Sequence, residues 1–341
     1  DSFSTSVKRK VALATALVLS ATLVAAHTGN AGATTGDSKA VTLTLLHNND
    51  GESSLDTSTL RSGTVTYKYG GIAAFKSVMD REAADARSRG NAVFRVYAGD
   101  SFLASKSLIC SEPAAADSKV KPLDAVALRQ VGYDALVLGN HEFDYSPTFL
   151  SRYLRTFAKD GKPTTPMLTG NMDFSKETNL SDLVAGKGIT SNVTKPGKSL
   201  AQWMIYTDQE TGAKFGVVTA MTPLLATISS PGNAKVLTNS LDAVARRLQG
   251  QINELRAMGV NKIMLVSHLQ DLNNDKALVA KLRGVDVAVG GGGDELLQSD
   301  YVANSVELLP GESAPVGTYP TNVVDAAGKV VPIVTTSGNY K

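Results

Sequence analysis

Cysteine is almost missing from this chain. Cys110 is the only one in 341 residues, so no internal disulfide can form, and cysteine use neither supports nor excludes an oxidising compartment. Cys110 reads most simply as a small buried hydrophobe. An excess of charge of one sign is missing too. Residues 1–33 hold three of the 34 Lys+Arg and one of the 32 Asp+Glu, which leaves 31 of each in the remainder. A balanced surface gives no electrostatic case for a nucleic-acid polymer or an anionic membrane as partner. There is no internal repeat. Charged residues at 19% and hydrophobic residues at 43% exclude a disordered or fibrous chain. The length allows one large or two ordinary domains with a sizeable core.

One apolar run stands out. Lys8, Arg9 and Lys10 precede Val11 to Ala26, and Ala31-Gly32-Ala33 offers a small-residue cleavage site. The run is short for a spanning helix, which needs about 20 apolar residues. No second basic flank follows it, so residues 1–33 read as a signal peptide, with a retained membrane anchor as the lesser alternative and no stable membrane insertion expected. Residues 34–40 read as a linker. Export to a periplasmic, cell-surface or extracellular location is the expectation.

Beyond it, short apolar, β-branched segments alternate with helical patterns. Strands are expected at Val41–Leu46, Ala92–Tyr97, Ala135–Leu138, Phe215–Thr219, Lys262–Val266 and Val285–Val289, and more weakly at Pro166–Leu168. Helices are expected at Gly71–Arg89, Leu123–Gln130, Pro147–Phe157, Ser240–Met258 and Asp275–Leu282. Such alternation means a layered α/β fold. The tracts 186–199 and 309–320 are rich in Gly, Pro, Ser and Thr and read as loops.

Five of these strands run into the same kind of residue. After the first come Asp50-Gly51-Glu52, after the second Gly99-Asp100, and after the third Gly139-Asn140-His141-Glu142-Phe143-Asp144. The fifth ends in Ser267-His268, and the sixth in Gly290 to Gly293 and then Asp294. A turn needs Gly or Asn, but not a histidine and several carboxylates. The carboxyl edge of an open α/β sheet is where ligands bind. Carboxylates, an amide and imidazoles gathered there repel or desolvate one another unless a divalent cation compensates them. Two cations about 3.5–4 Å apart can clamp a phosphoryl group and hold a hydroxide ready to attack it. Asp100, alone after a Gly at a strand end, is the natural carboxylate to bridge such a pair. His27 falls in the leader, His47 reads as a packed histidine, Glu142 as a capping or supporting residue and Asn49 as a turn residue. Gly290 to Gly293 lacks the Lys-Ser/Thr of a P-loop and the full dinucleotide spacing.

This order of residues resembles the calcineurin-like metallophosphoesterases. The phrase GNHEFD, residues 139–144, resembles their 5'-nucleotidase and UDP-sugar hydrolase branch, and the likeness spans roughly residues 41–341. The resemblance implies a four-layer α/β/β/α sandwich with mixed sheets and a dinuclear metal site. It implies that Asp50 holds the first metal, Asp100 bridges, Asn140 and His268 hold the second, and His141, paired with Asp144, steadies the transition state or leaving group. Departures are present as well. Glu52 stands where the family usually has a histidine, and Gly292 and Asp294 stand where it has two more. Glu52 and Asp294 can still bind a metal through oxygen, so the first site favours Mn²⁺, Mg²⁺ or Ca²⁺ over Zn²⁺. Gln270, Asp271 or water would complete the second.

The sequence is therefore expected to encode an exported metallophosphoesterase domain over 41–341 that uses a metal-bound hydroxide on a small phosphate ester, with nucleoside 5'-monophosphates as leading substrates. Activity on 2',3'-cyclic nucleotides, general phosphomonoesterase activity, and an inactive binding module on the same fold remain as alternatives. The family's base-stacking aromatics lie in a C-terminal domain that this chain lacks, so base preference is not legible and the chain reads as truncated. Oligomeric state is not legible either.

Overall fold

The computed structural model describes residues 40–111, 121–159, 162–163, 165–190, 198–299, 308–309 and 313–341. The leader expected at 1–33, and the linker expected at 34–40 except for its last residue, lie outside the described residues. Among the described residues no helix is long and apolar enough to cross a membrane.

Two sheets carry the fold. Their strands, in chain order, are β1 Leu43–Asn48, β2 Ala92–Tyr97, β3 Ala135–Val137, β4 Met167–Leu168, β5 Gly188–Thr190, β6 Leu200–Ala201, β7 Trp203–Thr207, β8 Lys214–Met221, β9 Ile263–His268, β10 Val287–Val289, β11 Thr321–Val324 and β12 Val330–Val334. The first sheet has the order β1-β2-β3-β4-β6 and is wholly parallel. The second has the order β5-β7-β8-β9-β10-β12-β11. It is mixed, because β7 with β8 and β11 with β12 pair antiparallel while β8, β9, β10 and β12 run parallel. The main helices are α1 Ile72–Ser88, α2 Leu123–Val131, α3 Ser146–Thr156, α4 Leu241–Ala257 and α5 Leu272–Val279.

The two-residue period of a strand sorts side chains into layers. Phe94, Val96, Val137 and Leu168 from the first sheet meet Val217, Met264, Val266 and Val289 from the second in one buried cluster between the sheets. The other face of the first sheet, with Tyr97, Leu136 and Met167, packs on Met79 of α1, Leu128 of α2 and Leu150 of α3. The other face of the second sheet, with Val218, Ile263, Leu265 and Ala288, packs on Leu248 and Ile252 of α4 and Leu278 of α5. The result is the four-layer helix–sheet–sheet–helix sandwich. Central strands buried on both faces must be apolar throughout, which is why β2 and β9 read as near-continuous hydrophobic runs. Each fully buried Val, Leu, Ile or Phe contributes roughly 1.5–3 kcal/mol.

Local chemistry sets the helix starts. Ser240 caps α4, its Oγ accepting from the Ala243 N–H at 3.3 Å. Asp271 caps α5, its Oδ1 accepting from the Asn273 N–H at 2.6 Å. That cap moves α5 three residues earlier than the expected Asp275–Leu282. Cys110 is exposed rather than buried. Its helix, Lys106–Ser111, buries Leu108 and Ser111, and Cys110 lies off that face.

Candidate metal centre

The carboxyl edges of β1, β2 and β3 in one sheet and of β9 and β10 in the other lie side by side, so loops far apart in the chain meet. Asp50 and Asp100 are each 2% exposed and His268 is fully buried. Ligand atoms of Asp50, Asp100 and His268 lie within 4.8 Å of one another, as do those of Asp50, Glu52 and Asp294. Asp50 is common to both groups, and the Asp100 carboxylate lies close enough to act on Glu52 and Asp294 as well. Asn140 adjoins the first group, its Oδ1 3.1 Å from His268 Nε2. His268 Nε2 lies 2.9 Å from Asp100 Oδ2. Its Nδ1 lies 2.8 Å from the Ala98 carbonyl, which takes the ring proton there and leaves Nε2 facing the ligand atoms.

Several of these residues are held in a strained backbone conformation. Asp50, Glu52, Asp100, Gln270 and Asp294 have φ of 50°, 48°, 60°, 70° and 52°. Left-handed non-glycine residues of this kind cost free energy and gather where function demands them. Two glycines make the close approach possible. A Cβ on Gly99 would sit 2.5 Å from His268 Nδ1, and one on Gly139 would sit 2.2 Å from Asp100 Oδ1.

Electrostatics match the donor set. Burial first, and then the neighbouring Asp100 carboxylate, push Asp50 up to about 7, against the opposing pull of His268. Burial and Asp294 push Glu52 up to about 7. Burial and Asp100 also raise Asp294. For His268, burial acts downward, but the Asp100 carboxylate beside it wins and takes the imidazole up to about 10. Four carboxylates thus crowd one edge with a single buried imidazole as counter-charge. The residues fit divalent cations. The Asp50–Glu52–Asp294 position offers oxygen only, which suits Mn²⁺, Mg²⁺ or Ca²⁺, and the Asp50–Asp100–Asn140–His268 position adds one nitrogen.

His141 sits at the rim. Its Nδ1 is 2.6 Å from Asp144 Oδ2, and its Nε2 is 3.9 Å from Asp100 Oδ2. Burial lowers the imidazole, but Asp100 and Asp144 together outweigh it and raise its pKa. Asp144 is steadied in turn by the Ser229 hydroxyl, which donates to Oδ1 at 2.7 Å.

Gln270, one of the groups expected to complete the second position, donates from Nε2 to Asn140 Oδ1 at 2.5 Å. Asn49 is more than a turn residue: it donates to Asp50 Oδ2 and accepts the Thr336 N–H at 2.9 Å, tying the loop after β12 to the site. Asn339 N–H donates to the Asp50 carbonyl at 2.7 Å. Asp271 is occupied as the cap of α5. His47 lies outside the centre, its Nε2 2.8 Å from the Tyr319 hydroxyl, and burial lowers its pKa to about 4.

No protein-family model matches the chain. The mouse (Mus musculus) 5'-nucleotidase is 31% identical over 204 residues, 60% of this chain and 30% of that protein. The crystal structure of a 5'-nucleotidase precursor from Thermus thermophilus superposes with a TM-score of 0.66 at 27% identity, over 87% of this chain and 49% of that one. That of the calcineurin-like phosphoesterase YfkN from Bacillus subtilis does so with a TM-score of 0.54 at 15% identity, over 86% and 81%. The chain spans less than half the length of the two nucleotidases. With the sheet-edge site in view, its homologues and structural neighbours are the 5'-nucleotidases and the calcineurin-like phosphoesterases, and it has their fold.

Proposed function

We propose that this protein is an exported, metal-dependent phosphoesterase whose substrates are phosphate monoesters, nucleoside 5'-monophosphates first among them. The observation that carries this reading is the pair of adjoining ligand groups that share Asp50 at the joined edges of two sheets. Asp50, Glu52 and Asp294 would hold one divalent ion, and Asp50, Asp100, Asn140 and His268 the other. When bound, the ions supply Lewis-acid activation of water and of the phosphoryl oxygens. Asp144 fixes His141 through Nδ1, so Nε2 presents its proton to the substrate side. There the ring steadies charge on the phosphoryl oxygens or protonates the leaving oxygen. The apolar run ahead of the domain supports export.

Metal content after dialysis, combined with phosphate release from AMP, cyclic AMP and p-nitrophenyl phosphate in Mn²⁺, Ca²⁺ and Zn²⁺, tests the reading. Bound metal and release of phosphate from AMP, strongest with Mn²⁺ and lost in Asp100→Ala, are expected. A binding module without turnover is the second reading. Gly292, which brings only a backbone N–H to Asp50 Oδ2 at 2.8 Å, favours it. No retained metal and no Mn²⁺-stimulated phosphate release from any of the three esters would favour that alternative and sink the hydrolase reading.

A further inference from the structure

We propose that Glu142 is a positioning residue that holds the Asp100 carboxylate in place for ion binding. The inference rests on the reading of Asp100 as a ligand. Glu142 lies in the turn after β3, is 2% exposed, and belongs to neither ligand group. Its carboxylate gathers four donors from two strand ends. Oε2 accepts the Gly139 N–H at 2.6 Å and the Asp100 N–H at 3.0 Å. Oε1 accepts the Ser101 N–H at 2.6 Å and the Ser101 hydroxyl at 2.5 Å.

Those contacts act on a residue held in a left-handed conformation. Asp100 sits at φ 60°, a conformation that persists only when its surroundings over-determine it. Glu142 fixes its N–H, and the His141 N–H fixes its Oδ1 at 2.8 Å. The same carboxylate ties down Gly139, whose missing Cβ makes room for Asp100. A neutral amide cannot replace it. Glutamine has one acceptor oxygen, so its NH₂ would face either the Gly139 and Asp100 N–H groups or the Ser101 N–H, and only the Ser101 hydroxyl could turn to accept from it. A buried negative charge beside Asp100 is a poor choice for stability alone. It makes sense as a means of aiming Asp100.

The test compares full-length wild type, Glu142→Gln and Ser101→Ala by Mn²⁺ titration calorimetry, with crystal structures of each in EDTA. Glu142→Gln is expected to weaken Mn²⁺ binding about 10- to 100-fold and to move Asp100 out of the left-handed region. Ser101→Ala removes one donor of the four and is expected to cost no more than about fivefold. Should Glu142→Gln not fold, Glu142→Asp keeps charge and acceptors on a shorter stem and is expected to fold with an intermediate loss. Wild-type Mn²⁺ affinity in the Gln variant, or in the Asp variant where that stands in, overturns the proposal. If wild type itself binds no Mn²⁺, the ligand reading falls instead. The position of Asp100 in the EDTA structures then decides on Glu142, and an unmoved Asp100 overturns it.

Discussion

At the scale of single residues, the His141–Asp144–Ser229 chain should be graded in its effects. His141→Ala is expected to lower kcat about 10²- to 10⁴-fold with AMP, Asp144→Asn less, and Ser229→Ala least, because each lies one hydrogen bond further from the substrate. Steady-state kinetics of the three variants check the order; an effect of Ser229→Ala as large as that of His141→Ala would contradict it. Asp275 carries a second residue-scale prediction. Burial, with a smaller push from Glu295, raises its carboxyl to about 7 from an ordinary 3.8, while its Oδ1 accepts from the Ser267 hydroxyl at 2.6 Å. The folded chain therefore keeps a proton that the unfolded chain has lost, and stability falls as pH rises from about 4 to about 7. The load is on the order of 4 kcal/mol at most above pH 7. Asp275→Asn keeps the acceptor and removes the charge. Its thermal midpoint in EDTA should exceed that of wild type at pH 8 and match it near pH 4.

At the scale of elements, the carboxyl ends of β2 and β3 approach each other because Gly99 and Gly139 carry no side chain. Gly99 also has φ 97°. Gly99→Ala and Gly139→Ala should each destabilise the protein by about 1–3 kcal/mol through overpacking, and weaken Mn²⁺ binding as well, measurable by urea unfolding and titration calorimetry. These were also the most legible elements. β2 matches its expected span, Ala92–Tyr97, and β1, β3, β8 and β9 differ only at their ends; for β2, β3, β8 and β9 double-sided burial leaves a continuous apolar run that can be read without a fold. β5 was hidden in the tract 186–199, where Gly, Pro and Ser dominate. It forms because β7 offers it a parallel partner from Gly188 to Thr190. β11 went unread for a related reason. Its antiparallel pairing with β12 places Thr321 to Val324 at the sheet's edge, half exposed, where the hydrophobic signal is weak.

At the scale of the whole molecule, the charge crowded at the sheet edges couples metal to stability. Removing divalent ions should expose the repulsion among Asp50, Glu52, Asp100 and Asp294. Conversely, an ion at 100 times its Kd should add about 2.7 kcal/mol. For a domain of this size that is roughly 3–5 °C between EDTA and Mn²⁺ in a thermal melt, and equal midpoints would count against a metal centre. The sequence by itself determined the layered α/β class and the placing of Asp50, Glu52, Asp100, Asn140, His141, His268 and Asp294 at strand ends. Each of these follows or ends a strand, and strand and turn chemistry are local. Only the tertiary structure decided that Asp50 belongs to both ligand groups, that Glu142 gathers Gly139, Asp100 and Ser101, and that Ser229 and Asn339 join the site. Those contacts arise from how two sheets stack and where their edges meet, and residue order along the chain carries no signal for a contact of that kind.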